Sequence, residues 1–183
     1  EYYTSEIISF YLLSIYLLSG LYHLLLFFKR RIDLHNLLFG MFCLTISFYW
    51  FCRIPSREIL FQSNGFFEFK TEISLVFIIP FFIITFLSQI IEGKINLLTK
   101  ICSYWSLLTI LGGIIAPNLS YLHKILFIWQ ISMIPFFINA LGYVFYFAFK
   151  KNNTAIRILA GMVFMVAGGF YDIFAGLGFF PHV

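Results

Sequence analysis

Long apolar segments separated by short polar links make up almost the whole chain. Residues 20–44 show the pattern most clearly: an apolar run ends at Lys29-Arg30-Arg31, a short polar link follows, and a second apolar run begins. An α-helix needs about 20 apolar residues to cross a hydrocarbon core of about 30 Å. The stretch therefore predicts a helical hairpin in which one transmembrane helix leaves the bilayer and the next one enters it.

The same pattern along the chain predicts six transmembrane helices, and hence an all-α, polytopic membrane helix bundle. The longest predicted loop, residues 54–71, mixes acidic and basic side chains, and the other links have only a few residues. No link is long enough to hold a soluble domain, so residues 1–183 are interpreted as one transmembrane bundle. The predicted helices span residues 6–28, 35–53, 72–91, 97–116, 121–149 and 154–177.

Basic residues predict which helix ends face the cytoplasm, because Lys and Arg in short loops are retained on that side. If the N-terminus is outside, the cytoplasmic side holds Lys29, Arg30, Arg31, Lys94, Lys100, Lys150, Lys151 and Arg157, and the outer side holds Arg53, Arg57, Lys70 and Lys124. This two-to-one bias favours an outside N-terminus. Six crossings return the chain to the outside, so we expect a seventh helix after Val183 if a cytoplasmic domain follows.

Composition excludes a water-covered surface. Of the 183 residues, 61% are hydrophobic and 11% are charged, whereas soluble domains carry about 25% charged residues. Mean hydropathy is +0.93. The net charge of +4 is explained by cytoplasmic loops that lie beside anionic lipid headgroups, so no nucleic-acid partner is expected.

The spacing of reactive residues indicates neither a metal centre nor a catalytic set. The three cysteines form no Cys-x-x-Cys pair, and the four histidines do not give the matched pair that a membrane haem needs. The His-Glu-x-x-His pattern of zinc proteases is absent, and no Ser/His or Asp/Asp pair falls at one depth. We therefore expect no cofactor, no metal ion and no enzymatic activity.

Asp172 is the only acidic residue inside a predicted helix and clear of its ends. A charge at the bilayer centre costs about 2.5–3.5 kcal/mol and less towards the interface, so Asp172 is expected to face the bundle and to have a partner. Arg53 is the preferred partner, with Lys124 and the Tyr121 hydroxyl as alternatives. This set is either a structural clamp or the lining of an outward-facing polar pocket. His23, near the inner end of the first helix, is a further candidate for ligand binding or helix coupling.

The first hairpin resembles that of the bacterial seven-transmembrane receptors with diverse intracellular signalling modules (7TMR-DISM). In that family the first helix ends in a Gly-Tyr-His-like stretch, followed by a basic, Asp-containing turn and a Phe/Leu-rich second helix. A second, shorter patch lies in the sixth helix, at Ala160-Gly161, Tyr171-Asp172 and Gly176-Leu177-Gly178. The matching residues of the hairpin are Gly20, Tyr22, His23, Phe27, Arg30, Arg31, Asp33, Leu38, Phe39 and Cys43.

The resemblance implies a receptor domain of the bacterial inner membrane that couples an extracytoplasmic sensory domain to a cytoplasmic output module. The expected partners are the lipid bilayer, an unknown extracytoplasmic ligand and covalently linked sensory and output domains, with a homodimer as a candidate assembly. The family has seven helices, whereas this chain shows six. A small membrane transporter or channel subunit is the alternative interpretation, and it predicts internal repeats with charges near the midplane.

Overall fold

The computed structural model describes residues 2–54 and 65–176, and these residues form six long α-helices. For residues 2–5, Met165, Asp172, Ala175 and Gly176 only the backbone is described. The described residues contain no strand, and each helix is long and apolar enough to cross a membrane. The predicted all-α polytopic fold is confirmed. The helices are α1 (Tyr2–Lys29), α2 (Leu34–Cys52), α3 (Gly65–Glu92), α4 (Leu97–Ile115), α5 (Leu119–Phe149) and α6 (Asn153–Gly176).

The predicted loop 54–71 is wrong over its last seven residues, because α3 begins at Gly65. Phe69, Ile73 and Phe77 follow one another at a spacing of four, and Ile73 and Phe77 are buried. The charged residues between them lower the hydropathy, but charges are tolerated at a helix end that reaches the lipid headgroups. The helical spacing of apolar residues therefore extends towards the N-terminus of α3, into a stretch where the hydropathy is already lower.

Two parts of the predicted loop and helices lie outside the described residues. These are residues 55–64, which include Arg57, and Leu177 at the end of the predicted sixth helix.

Tight, capped turns reverse the chain between neighbouring helices. Between α3 and α4, Gly93 adopts a left-handed φ of 71°, which glycine tolerates without strain. Asn96 then caps α4, since its Oδ1 accepts a hydrogen bond of 2.8 Å from the Thr99 backbone N–H. Asn118 caps α5 by accepting a hydrogen bond of 3.1 Å from the Tyr121 backbone N–H. These caps satisfy backbone donors that the first helical turn leaves free.

The turns after α1, α3 and α5 share one end of the bundle, which we call the basic end. The other end holds the turn after α4, the end of α2 and the start of α3, and we call it the opposite end. The basic end takes its name from the eight residues Lys29, Arg30, Arg31, Lys94, Lys100, Lys150, Lys151 and Arg157, which lie in or next to its turns.

Helix α3 is the centre of the bundle, because it packs against α2, α4, α5 and α6. Helix α1 packs mainly against α2. Two buried clusters lie along α3 on either side of Pro80, which is itself buried. The cluster nearer the opposite end includes Phe77, Leu122, Trp129 and Met133. The cluster nearer the basic end includes Ile84, Leu87, Cys102, Val144 and Met162.

Candidate functional site

The first turns of α3, at the opposite end, contact three neighbouring helices through polar and aromatic side chains. Glu72 forms an ion pair with Arg53, which lies at the end of α2. The Arg53 Nε atom is 3.3 Å from Glu72 Oε1. The Arg53 side chain is 51% exposed and that of Glu72 is 23% exposed. The Arg53 guanidinium also lies over the Tyr49 ring, 5.3 Å from its centroid. Arg53 is therefore held between its own helix and α3.

Lys70 extends this set of contacts to α4. Its Nζ donates a hydrogen bond of 3.1 Å to the carbonyl oxygen of Ala116, the C-terminal cap of α4. The last carbonyls of a helix have no partner within the helix and carry the negative end of its dipole. A lysine at this position therefore satisfies a free acceptor and complements the dipole at once.

Phe69 completes the set towards α5. Its ring stacks on the imidazole of His123 with the ring centroids 5.3 Å apart, and His123 Nδ1 lies 2.9 Å from the carbonyl oxygen of Leu119. We call Phe69, Lys70 and Glu72 the α3 junction. Within four residues of one helix it contacts α2, α4 and α5.

The structure does not bring all the predicted site residues together. Tyr121 and Lys124 contact each other on an exposed face of α5, with Lys124 Nζ 5.5 Å from the Tyr121 ring centroid. The described partner of Arg53 is Glu72. The backbone of Asp172 lies in α6, but its side chain is outside the described residues, so its predicted pairing with Arg53 stays a prediction.

His23 lies towards the basic end, far along the chain from the α3 junction. Its Nδ1 is 2.9 Å from Asn36 Oδ1, so the tautomer that carries a proton on Nδ1 donates to the Asn36 carbonyl oxygen. The imidazole also packs edge-on against Phe39, with centroids 4.6 Å apart. Phe39 in turn packs against Phe86 of α3 at 5.4 Å. His23 thus connects α1 to α2, and Phe39 connects α2 to α3.

Close backbone approach joins the middle of α1 to α2. A Cβ added to Gly20 would lie 3.1 Å from the Gly40 carbonyl oxygen, and one added to Gly40 would lie 3.2 Å from the Gly20 carbonyl oxygen. Small residues let transmembrane helices approach in this way. Nearer the opposite end, Ser47 Oγ donates a hydrogen bond of 3.1 Å to the Leu13 carbonyl oxygen. We call these contacts, together with His23–Asn36, the α1–α2 seam.

Sequence reasoning missed the α3 junction and the partner of His23. The fall in hydropathy predicts a loop at Lys70 and a helix that begins only at Glu72, whereas both residues lie in α3. The spacing of four from Phe69 to Ile73 and Phe77 was a signal that could have extended the helix. No comparable signal marks Asn36, since hydropathy does not indicate which residues of two helices meet.

The described site consists of contacts between neighbouring helices. Among the described residues, no group of three or more His, Cys, Asp or Glu side chains could hold a metal ion. The α3 junction and the α1–α2 seam instead pair donors, acceptors and rings from neighbouring helices.

Comparison with known proteins gives one match. A family model described as 7TM diverse intracellular signalling matches residues 5–183. No curated protein and no solved structure matches the chain.

Proposed function

The chain belongs to the 7TM diverse intracellular signalling family, and on this basis we propose that it couples an extracytoplasmic sensory domain to a cytoplasmic output module. The match over residues 5–183 is the observation that carries the proposal. In this proposal the chain has no catalytic role of its own. Its N-terminus is proposed to lie outside the cell.

The helix contacts support a route for the signal. A sensory domain that precedes the chain acts first on α1, and α1 packs mainly on α2. Because Gly20 and Gly40 allow close backbone approach, α1 and α2 shift together. Helix α2 then meets α3 through the Arg53–Glu72 ion pair at one end and through the Phe39–Phe86 contact at the other. A signal biases this interface between two packings by binding one of them more tightly.

The ion pair provides a test in the full-length protein, in its native membrane. Reversing one charge with Glu72→Arg places two cations together at the α2–α3 interface. We expect the basal activity of the attached output module to change, and the double variant Arg53→Glu/Glu72→Arg to restore it. Lys124→Glu is the matched control at the same end, because the described contact of Lys124 is with Tyr121 of its own helix.

Two results would contradict the receptor proposal. One is an unchanged basal output in a Glu72→Arg variant that inserts at the normal level. The other is a full gene that encodes no signalling module after the membrane helices. Solute flux through proteoliposomes that contain the protein would instead favour a transporter or channel subunit.

Orientation has its own test. Ile32 is 88% exposed in the turn between α1 and α2, and the native cysteines Cys43, Cys52 and Cys102 are buried. Ile32→Cys should resist a membrane-impermeant thiol reagent in intact cells and react after the cells are opened. Lys124→Cys, at the opposite end, should react in intact cells. The reverse pattern would place the N-terminus in the cytoplasm.

A further inference from the structure

A half-open groove runs between α2, α3 and α6 near the basic end. Its volume is about 230 Å³, which is smaller than the roughly 300–1,000 Å³ of a typical small-molecule site. Arg157 is its only charged lining residue among those described. The apolar lining comes from Phe39 and Phe42 of α2, Ile83, Phe86 and Leu87 of α3, and Ile158, Gly161 and Met162 of α6.

The groove lies within the part of the bundle that one lipid leaflet covers. Its residues nearest the basic end, such as Arg157 and Leu87, lie four or five positions from the ends of their helices, or about 6–8 Å at 1.5 Å per residue. Its deepest residues, Ile83 and Met162, lie nine positions in, or about 14 Å. Half of the hydrocarbon core measures about 15 Å. The groove therefore spans about 8 Å along the helices, whereas a helix that crosses the membrane would need a groove of about 30 Å.

The charge at the groove is placed for an anionic headgroup. The Arg157 side chain is exposed, and no described carboxylate forms a salt bridge with it. A guanidinium binds phosphate oxygens in a bidentate manner, and basic pockets between transmembrane helices bind anionic lipid headgroups. The apolar walls below Arg157 suit an acyl chain, and Gly161 leaves room for it, because a Cβ on Gly161 would meet nothing within 4 Å.

We propose that this groove is a binding site for one anionic phospholipid. The phosphate contacts Arg157, and one acyl chain lies along Phe42, Ile83 and Met162. The lipid thereby bridges α2 and α6 across α3, so it adds a contact beside the Phe39–Phe86 pair. This site does not depend on the proposed receptor role.

The test uses the full-length protein, purified from nanodiscs of phosphatidylcholine with a minor fraction of phosphatidylglycerol, and counts retained lipids by native mass spectrometry. We expect one phosphatidylglycerol on the wild type. Arg157→Gln should lower its apparent affinity about fivefold, the effect of about 1 kcal/mol for one basic residue at a membrane surface. Arg157→Lys should retain most of the binding. Lys100→Gln is the matched control, since Lys100 is an exposed basic residue of α4 at the same end.

A second pair of variants tests the acyl-chain part of the groove. Gly161→Leu should fill the groove and displace the lipid. Gly142→Leu should not, although a Cβ on Gly142 also meets nothing within 4 Å, because Gly142 lies on α5 outside the groove. These variants keep the proposal testable if Arg157→Gln fails to fold.

Three outcomes would overturn the proposal. Phosphatidylglycerol retained equally by the wild type, Arg157→Gln and Gly161→Leu would mean that the lipid binds elsewhere. If the wild type retains phosphatidylcholine as well as phosphatidylglycerol, the headgroup charge does not contribute to binding. A Gly161→Cys thiol that is closed to lipid-soluble reagents and crosslinks to a later segment of the chain would assign the groove to that segment.

Discussion

Helices α1 and α3 are both apolar and 28 residues long, but they are held in the bundle by different means. In the most apolar stretch of α3, 44% of the residues are buried within the protein, whereas the value for α1 is 6%. Helix α3 packs large apolar side chains against four neighbours. Helix α1 relies on close backbone approach and a few polar contacts to α2. Hydropathy alone therefore does not distinguish a central helix from a peripheral one.

The largest effect is expected from Phe77→Ala in the centre of α3. Phe77 has no exposed surface, and its ring lies 5.4 Å from that of Trp129. The substitution should lower the free energy of unfolding by about 3 kcal/mol, the lower end of the range for buried Phe, because lipid is also apolar and mainly the cavity cost remains. Unfolding in mixed micelles measures the change. Phe164→Ala, at an 80% exposed position of α6, should change the free energy of unfolding little. An equal decrease in both variants would contradict the central position of α3 in the bundle.

The next effect is expected at the α1–α2 seam. In Gly20→Ala the new Cβ would lie 3.0 Å from the Leu44 side chain and 3.1 Å from the Gly40 backbone oxygen, so these neighbours must shift by a few tenths of an ångström. Overpacking of this kind costs about 1–3 kcal/mol. Gly142→Ala meets nothing within 4 Å and should stabilise the helix by about 0.5–1 kcal/mol, because alanine loses less backbone entropy. The two variants should thus shift the free energy of unfolding in opposite directions. If both shift it in the same direction, the α1–α2 seam is not closely packed at Gly20.

The smallest effect is expected at the Arg53–Glu72 pair, which is partly exposed. Pairs of this kind contribute about 0.2–1 kcal/mol. A double-mutant cycle with Arg53→Gln and Glu72→Gln should give a coupling in that range, and it should decrease at high salt. A coupling above about 2 kcal/mol would show that the α3 junction is held as firmly as the buried clusters.

The hydropathy pattern predicts the positions of the six helices well. It does not predict which residues of neighbouring helices contact one another. Crossing a bilayer requires long apolar runs, so residues 97–116 and 121–149 nearly coincide with α4 and α5. The start of α3 was missed because Glu68 and Lys70 lower the hydropathy of a stretch that the lipid headgroups still accommodate. Gly20 of α1 approaches the backbone of α2 closely. The hydropathy pattern, however, does not indicate that Gly20 meets Gly40 or that Arg53 meets Glu72. Such pairs depend on the rotation and tilt of each helix, which hydropathy does not report.

The position of Phe77 also has a consequence for how the protein is made. Helix α3 packs on α2 and α4, which are close to it in the sequence, but Trp129, the ring partner of Phe77, follows 52 residues later. At a synthesis rate of about 5–20 residues per second, this interval lasts about 3–10 s. During that time α3 is already long enough to enter the bilayer, while α5 is still being synthesised. A side chain that is fully enclosed in the finished protein is therefore first exposed to the membrane, and the core around it closes only when α5 is inserted.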